Sequence, residues 1–291
     1  MEIGLHSMMV EKKIQINNNS KDLNNLNESH LSIQLSLDGF SFCIINKTLN
    51  EVTALYTYTF PNNSPTPEKH LENVVEVFSK EKLLNRRYHT VNITHVNELS
   101  SLVPKAFFVP EQIKSYIKYS SKVYKNDYIV HDPLVNHDMM NVYVPFVNIN
   151  NFLLEKFGAF EYKHFSTVLV ENLMNTYKFS ERPHMFVNIC DEHFEIVIIA
   201  NSKLLLYNSF KYKTKEDFIY YVLFTAEQLK LDTEKFEMIF SGEIDKESEL
   251  YKIAYTYIRN ISLIEIRSKY SFQSNFTEKI KRRNFTLLNQ F

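Results

Sequence analysis

Four short constellations in this chain carry residue types suited to chemistry. Asp38-Gly39 closes the run LSIQLSLDG, residues 31–39. An acid and a glycine at a hairpin tip are the parts of a phosphate loop: glycine lets backbone N–H groups approach an anion, and the acid organises a hydrated cation. His131-Asp132 and His137-Asp138 are metal-ligand types six residues apart. Pro133 separates them and no third His or Cys follows at ligand spacing, so a surface loop is expected there. Cys190 precedes His193 by three residues, the pattern of a thiol with a nearby base. No oxyanion glycines or helix N-terminus follow it, so a buried structural thiol is expected, as for Cys43 in mid-strand. Lys279, Lys281, Arg282 and Arg283 interleave with Phe276, Phe285 and Phe291, a combination able to bind RNA or an anionic surface. Ile280, Leu287 and Leu288 in the same stretch point instead to a packed docking or capping segment.

Composition narrows these choices. Of 291 residues, 44% are hydrophobic and 23% charged, with a formal net charge of −1, so global electrostatics marks no polyanion partner. The longest apolar runs, such as IVIIA at 196–200, are too short to span a membrane. The opening MEIGLHSMMVEKK lacks the basic and apolar regions of a signal peptide. With only Cys43 and Cys190, a disulfide framework is not expected and a cytoplasmic location is.

The elements that must position these residues follow from periodicity. Residues 11–30 are polar and Asn-rich and read as a mobile tail. Leu31, Ile33, Leu35 and Leu37 alternate with polar neighbours, as in a half-buried strand. With Asp38-Gly39 as a type I′ turn, Leu37 faces Phe40, Leu35 faces Phe42 and Ile33 faces Ile44. A third strand puts Val52, Ala54, Tyr56, Tyr58 and Phe60 on one side. Thr66 then caps a helix with Pro67 at its first position and a stripe of Leu71, Val74, Val75 and Phe78. A strand at 88–94, a helix at 111–124 and a strand at 141–147 complete the order βββαβαβ.

The same order recurs about 150 residues later. A meander spans 185–212, with turns near 191–193 and 201–203. Thr214 caps a helix with Asp217 as its capping-box acid and Phe218, Tyr221, Val222 and Leu229 on the buried face. A strand ending at Gly242, a helix over 245–258 and a strand at 261–266 follow. Residues 149–178, two helices around Gly158, connect the copies.

A tandem βββαβα unit is the layout of the ribonuclease H-like superfold, and its duplication is that of actin and the heat-shock-protein ATPases. The stretches LSIQLSLDGFSFCII, NVYVPFVNINNFLLEKFGAFEYKHFSTVLVENLM and VNICDEHFEIVIIANSKLLLYNSF resemble an uncharacterised bacterial family, found mainly in Bacteroidetes, called domain of unknown function 3822. The resemblance spans roughly residues 28–268. It implies an α/β fold of duplicated ribonuclease H-like units with actin-like ATPase architecture, two lobes and a cleft; this glycine-poor chain is expected to fill that cleft with large side chains. It implies no activity, so function must be judged at the residues.

Actin-like ATPases use Asp-x-Gly in the first hairpin of each half and a glycine pair near the adenosine. Here Asp38 and Gly39 are adjacent, Asn188–His193 has no glycine and adds Asp191 and Glu192, and Ser241-Gly242-Glu243 has one glycine followed by an acid. The chain has four glycines, Gly4, Gly39, Gly158 and Gly242. Two-metal nuclease chemistry needs strand-borne carboxylates, and 31–37 and 185–190 carry none; Asp38, Asp191, Glu192 and Glu195 would converge only in another register.

The expected organisation is a disordered tail over 1–28, a first lobe over 29–180, a second over 181–268 and a docking or capping segment over 269–291. The expected function is a non-catalytic pseudoenzyme serving as a cytoplasmic protein-interaction or scaffolding module with a protein partner. No catalytic, cofactor-binding or metal residue, cofactor, nucleotide, nucleic acid or membrane span is expected. A divergent nucleotide-binding ATPase and an RNA-associated protein using the basic C-terminal tail are the alternatives.

Overall fold

The computed structural model describes residues 10–17, 28–60, 66–118, 122–124 and 126–290. Gly4, Phe291 and the rest of the expected tail (1–9 and 18–27) lie outside them. By its contacts the chain divides into a unit of Met1–Val168, Ser268–Asn275 and Gln290–Phe291, and a unit of Leu169–Arg267 and Phe276–Asn289.

The first unit runs β1 (Glu11–Asn17), β2 (Ser29–Ser36), β3 (Gly39–Asn46), β4 (Glu51–Thr59), α1 (Pro67–Lys80) and β5 (Thr90–Val96). It continues with β6 (Ser100–Pro104), α2 (Ile113–Ile117), β7 (Val130–Pro133), β8 (Met139–Tyr143), α3 (Val147–Phe157), β9 (Glu161–His164) and the start of α4 (Phe165–Thr176). Its main sheet has the order β1-β4-β3-β2-β5-β9, with β2, β5 and β9 parallel. The core beneath it is built from Leu31, Ile33, Leu35, Phe40, Phe42, Tyr56, Tyr58, Val74, Val77 and Phe78. Thr66 caps α1 as expected, accepting from the Lys69 amide. Val75, expected in the stripe, is exposed; His70, Asn73 and Val77 are buried instead.

The second unit repeats this path as β10 (His184–Ile189), β11 (His193–Ala200), β12 (Lys203–Lys211), α5 (Lys215–Gln228), β13 (Glu237–Gly242), α6 (Glu249–Tyr257) and β14 (Asn260–Leu263), with α7 (Glu278–Arg283) near the end. Its order, β12-β11-β10-β13-β14, matches β4-β3-β2-β5-β9 strand for strand. Phe194, Phe218, Val222, Met238 and Phe240 anchor its core. The capping box of Thr214 and Asp217 is complete. Asn201 and Ser202 both have positive φ, the type I′ geometry that suits a two-residue hairpin.

Four expectations are corrected. Residues 11–17 form β1, antiparallel to β4. Lys12 lies over the Tyr56 and Tyr58 rings, 5.0 and 5.5 Å from their centroids, and pairs with Glu81, contacts that composition does not reveal. The first hairpin turns at Leu37-Asp38: Ser36 pairs with Gly39, Leu35 with Phe40 and Ile33 with Phe42. Neither turn residue has positive φ, Leu37 is exposed, and the Phe60 amide donates to Asp38 O at 2.7 Å. The strand expected at 141–147 is β8, in a separate sheet β6-β8-β7, and the last strand of the main sheet is β9, within the expected helical connector. The helix expected over 111–124 contracts to α2 after a 3₁₀ turn at Pro110–Gln112; residues 119–121 lie outside the described set.

Two glycines separate steric from conformational need. A Cβ on Gly242, at φ +81°, would lie 2.1 Å from Ile189 O, whereas at Gly158, φ +78°, nothing lies within 4 Å. Gly242→Ala is expected to cost about 3–5 kcal/mol and Gly158→Ala about 1–2 kcal/mol in urea unfolding. Equal losses would refute the close approach.

Candidate functional site

The hairpin tips come first, because in this topology they sit at the carboxyl ends of the parallel strands, where open α/β sheets bind ligands. In the first unit, a Cβ on Gly39 would fall 2.8 Å from Tyr58 O. Gly39 therefore allows β4 to approach, and φ at Gly39 is not positive. Ser36 Oγ donates to Gly39 O at 3.3 Å, and His70 Nε2 lies 2.8 Å from Ser36 O. The turn is closed by its own chain.

In the second unit, β10 pairs with β13 in parallel, placing Asn188 beside Ser241 and Ile189 beside Gly242. The Glu243 amide donates to Ile189 O at 2.8 Å. The space left by the missing side chain of Gly242 is filled by Ile189 backbone and Asn188 Oδ1. Across the hairpin, Asn188 stands opposite Glu195. Ser241 Oγ donates to Asn188 Oδ1 at 2.9 Å, so the amide nitrogen faces the other way and donates to Glu195 Oε2 at 2.9 Å. His193 Nε2 lies 3.0 Å from Glu195 Oε1, and Cys190 Sγ is 3.9 Å from Oε2. Glu195 is buried, while His193 and Cys190 are half-buried. The expectation of a buried Cys190 is thus corrected; Cys43 is fully buried, which pushes its thiol far up. Cys190, His193 and Glu195 are the only metal-competent group of three among the described residues. The legible signal was a polar pair, Asn188 and Glu195, inside strands otherwise apolar.

The His-Asp pairs separate. Asp132 is buried on β7, correcting the loop expectation, while His131 is exposed, its ring 4.8 Å from that of Phe108. Asp132 Oδ1 accepts from Tyr143 Oη at 2.9 Å, and Oδ2 from the His164 amide at 2.9 Å and Thr167 Oγ1 at 2.8 Å. Asn141 Nδ2 donates to Ser166 and Thr167 at 2.8 and 2.9 Å. The Ser166 amide donates to His164 Nδ1 at 3.1 Å, so the ring proton sits on Nε2, facing Asn97 O at 3.1 Å. Ser166 Oγ is 2.7 Å from Nδ1, yet both residues are fully buried. The bonds of Asp132 and Asn141 join β7 and β8 to β9 and the start of α4.

The C-terminal cations are occupied. Lys279 pairs with Asp245, Lys281 with Glu278 and Arg283 with Glu243, and Arg282 is buried with a bond to Ile244 O. Phe276, Phe285, Leu287 and Leu288 are buried. A groove of about 540 Å³ lies at the amino ends of β2 and β5, lined by His30, Lys47, His89 and Lys269 among others, at the sheet edge opposite the hairpin tip.

The family described as "Protein of unknown function (DUF3822)" matches residues 18–261. A Bacteroides thetaiotaomicron protein with actin-like ATPase fold and unknown function superposes with a TM-score of 0.76 at 23% identity, covering 84% of this chain and 94% of the other. A chain of the PilM-PilN type IV pilus biogenesis complex superposes with a TM-score of 0.61 at 11% identity, covering 90% and 97%. At these identities the likeness establishes the fold. No curated protein matches the sequence.

Burial holds His95 and His164 neutral, pushing both from 6.5 down to about 3. Unfolding releases each to its ordinary value, so between pH 6.5 and about 3 the unfolded chain binds the extra protons. Their effect is absent above pH 6.5, and stability falls as pH drops through that window. The pair contributes a slope of about 2.7 kcal/mol per pH unit near its middle. His164→Gln should flatten the slope of unfolding free energy between pH 6 and 4 by about 1.4 kcal/mol per unit. An unchanged slope would contradict a buried neutral imidazole.

Proposed function

The chain belongs to that family, and from this premise we propose that it works as a non-catalytic protein-interaction module, built on an actin-like ATPase fold and acting in the cytoplasm. One observation carries the reading: Gly39 at the first hairpin tip and Gly242 at the end of β13 are each consumed by the chain's own backbone, Gly39 by Tyr58 and Gly242 by Ile189. A phosphate loop needs those same approaches and their N–H groups for the ligand. Asp191 and Glu192 at the second tip add charge of the wrong sign for a triphosphate.

Support for a protein partner comes from the surface. Tyr220 and Phe224 on α5, stacked 6.0 Å apart, and Tyr255 and Tyr257 on α6 are exposed large aromatics on two helices that pack together. Aromatics of this kind are enriched where proteins dock. The PilM-PilN complex supports the reading as a case in which this fold occurs within a protein–protein assembly.

The test is the thermal midpoint of the purified chain with and without millimolar Mg-ATP, ADP or AMP. A ligand at 100 times its dissociation constant would add about 2.7 kcal/mol. No shift is expected with any of the three. A Mg-dependent shift removed by Asp191→Asn would overturn the reading in favour of a divergent ATPase.

A further inference from the structure

The geometry points to a zinc site at the β10–β11 hairpin, formed by Cys190, His193 and Glu195 with water in the fourth position. The inference is independent of the interaction role, since it concerns one hairpin of the second unit and needs no partner.

Ligand atoms from the three residues lie within 4.8 Å of one another. In a tetrahedral site with Zn–S near 2.3 Å and Zn–N or Zn–O near 2.0–2.1 Å, neighbouring ligand atoms stand about 3.3–3.7 Å apart. The present separations, 3.0 Å from His193 Nε2 to Glu195 Oε1 and 3.9 Å from Cys190 Sγ to Oε2, straddle that range. The two distances end on different carboxylate oxygens, so one ion on all three requires the Glu195 carboxylate to rotate until a single oxygen faces both. Thiolate, imidazole and carboxylate select a borderline-soft cation and disfavour Mg²⁺ and Ca²⁺, which take oxygen. Charge balances too, because one thiolate and one carboxylate neutralise Zn²⁺.

The surroundings are those of a built site. Glu195 is a carboxylate with only 4% of its side chain exposed, and burying such a charge is costly without a cation or several donors. Its polar partners include Asn188, His193 and the thiol of Cys190. Asn188 Nδ2 holds Oε2 and also lies 3.7 Å from Cys190 Sγ. Ser241 Oγ, on the neighbouring strand, sets that amide's orientation. Ligating carboxylates are oriented by outer hydrogen bonds of this kind. Tyr212 Oη donates to Cys190 O at 2.9 Å and the Cys190 amide to His193 O at 2.9 Å, fixing the turn. The half-buried Cys190 and His193 leave the fourth position facing solvent. Three protein ligands with water in the fourth position make an open rather than a closed zinc site.

The experiment uses the full chain, reduced and stripped of metal, titrated with Co²⁺ and then Zn²⁺ against a chromophoric chelator. One equivalent of Co²⁺ should give the thiolate charge-transfer band and the intense visible bands of a tetrahedral site, and Zn²⁺ should displace it. Cys190→Ser and His193→Gln, both half-buried and checked for folding by circular dichroism, should each abolish the charge-transfer band or the tetrahedral spectrum. Ser241→Ala should retain the band and weaken zinc about tenfold. Cys43→Ala should change neither. Wild type without a charge-transfer band, a band that survives Cys190→Ser, or Mg²⁺ competing equally with Zn²⁺ would each overturn the site.

Discussion

The backbone of Gly242 lies against that of Ile189 with no room for a Cβ, and the carboxyl edge of the second unit follows from that approach. It lets β13 run parallel to β10 to the last residue of both strands. Ser241 is thereby set beside Asn188, whose amide can then present only its nitrogen to Glu195. The carboxylate, held on one oxygen, meets His193 with the other. The backbone contact thus places Ser241, and three hydrogen bonds then carry that placement to Asn188, Glu195 and His193.

The first unit shows the same scaffold with a different filling. There the close approach is between Gly39 and Tyr58, and the polar interior lies elsewhere, around Asp132. The buried carboxylates of Asp132 and Glu195 differ in their partners. Asp132 accepts from a tyrosine, a threonine and a backbone amide, all neutral donors deep in the unit. Burial pushes its carboxyl up, and those bonds oppose the shift. Glu195 faces an imidazole and a thiol that reach solvent. The first arrangement joins strands; the second lies beside side chains that reach solvent.

The duplicated architecture survives with few glycines because its stability does not reside in phosphate loops. Each unit rests on an antiparallel meander, a parallel extension and an apolar core under one face. Ladder hydrogen bonds and burial of Phe, Leu, Ile and Val supply those terms locally. The fold therefore does not by itself fix an activity.

Sequence alone determined the features whose partners lie within a few residues: the Thr66 cap, the Thr214–Asp217 box, the Asn201-Ser202 turn, the alternation of β2, β3 and β4, and through their recurrence the duplication itself. Each is written in spacing, because its hydrogen bonds or its buried face repeat over one turn of helix or two residues of strand. Tertiary structure decided what depends on distant neighbours. Asp38-Gly39 has the composition of a type I′ turn, yet the approach of Tyr58 and the bond from Phe60 to Asp38 shift the turn by one residue. Residues 11–17 have the composition of a tail, yet the Tyr56 and Tyr58 rings and Glu81 give Lys12 a place and the strand an edge. The last strand of the first sheet went to β9 because the insertion carrying β8 closes on itself as a separate three-stranded sheet. Cys190, His193 and Glu195 converge across a single hairpin; what no local pattern encodes is the orientation of Asn188 by Ser241, some fifty positions away, through the pairing of β13 with β10.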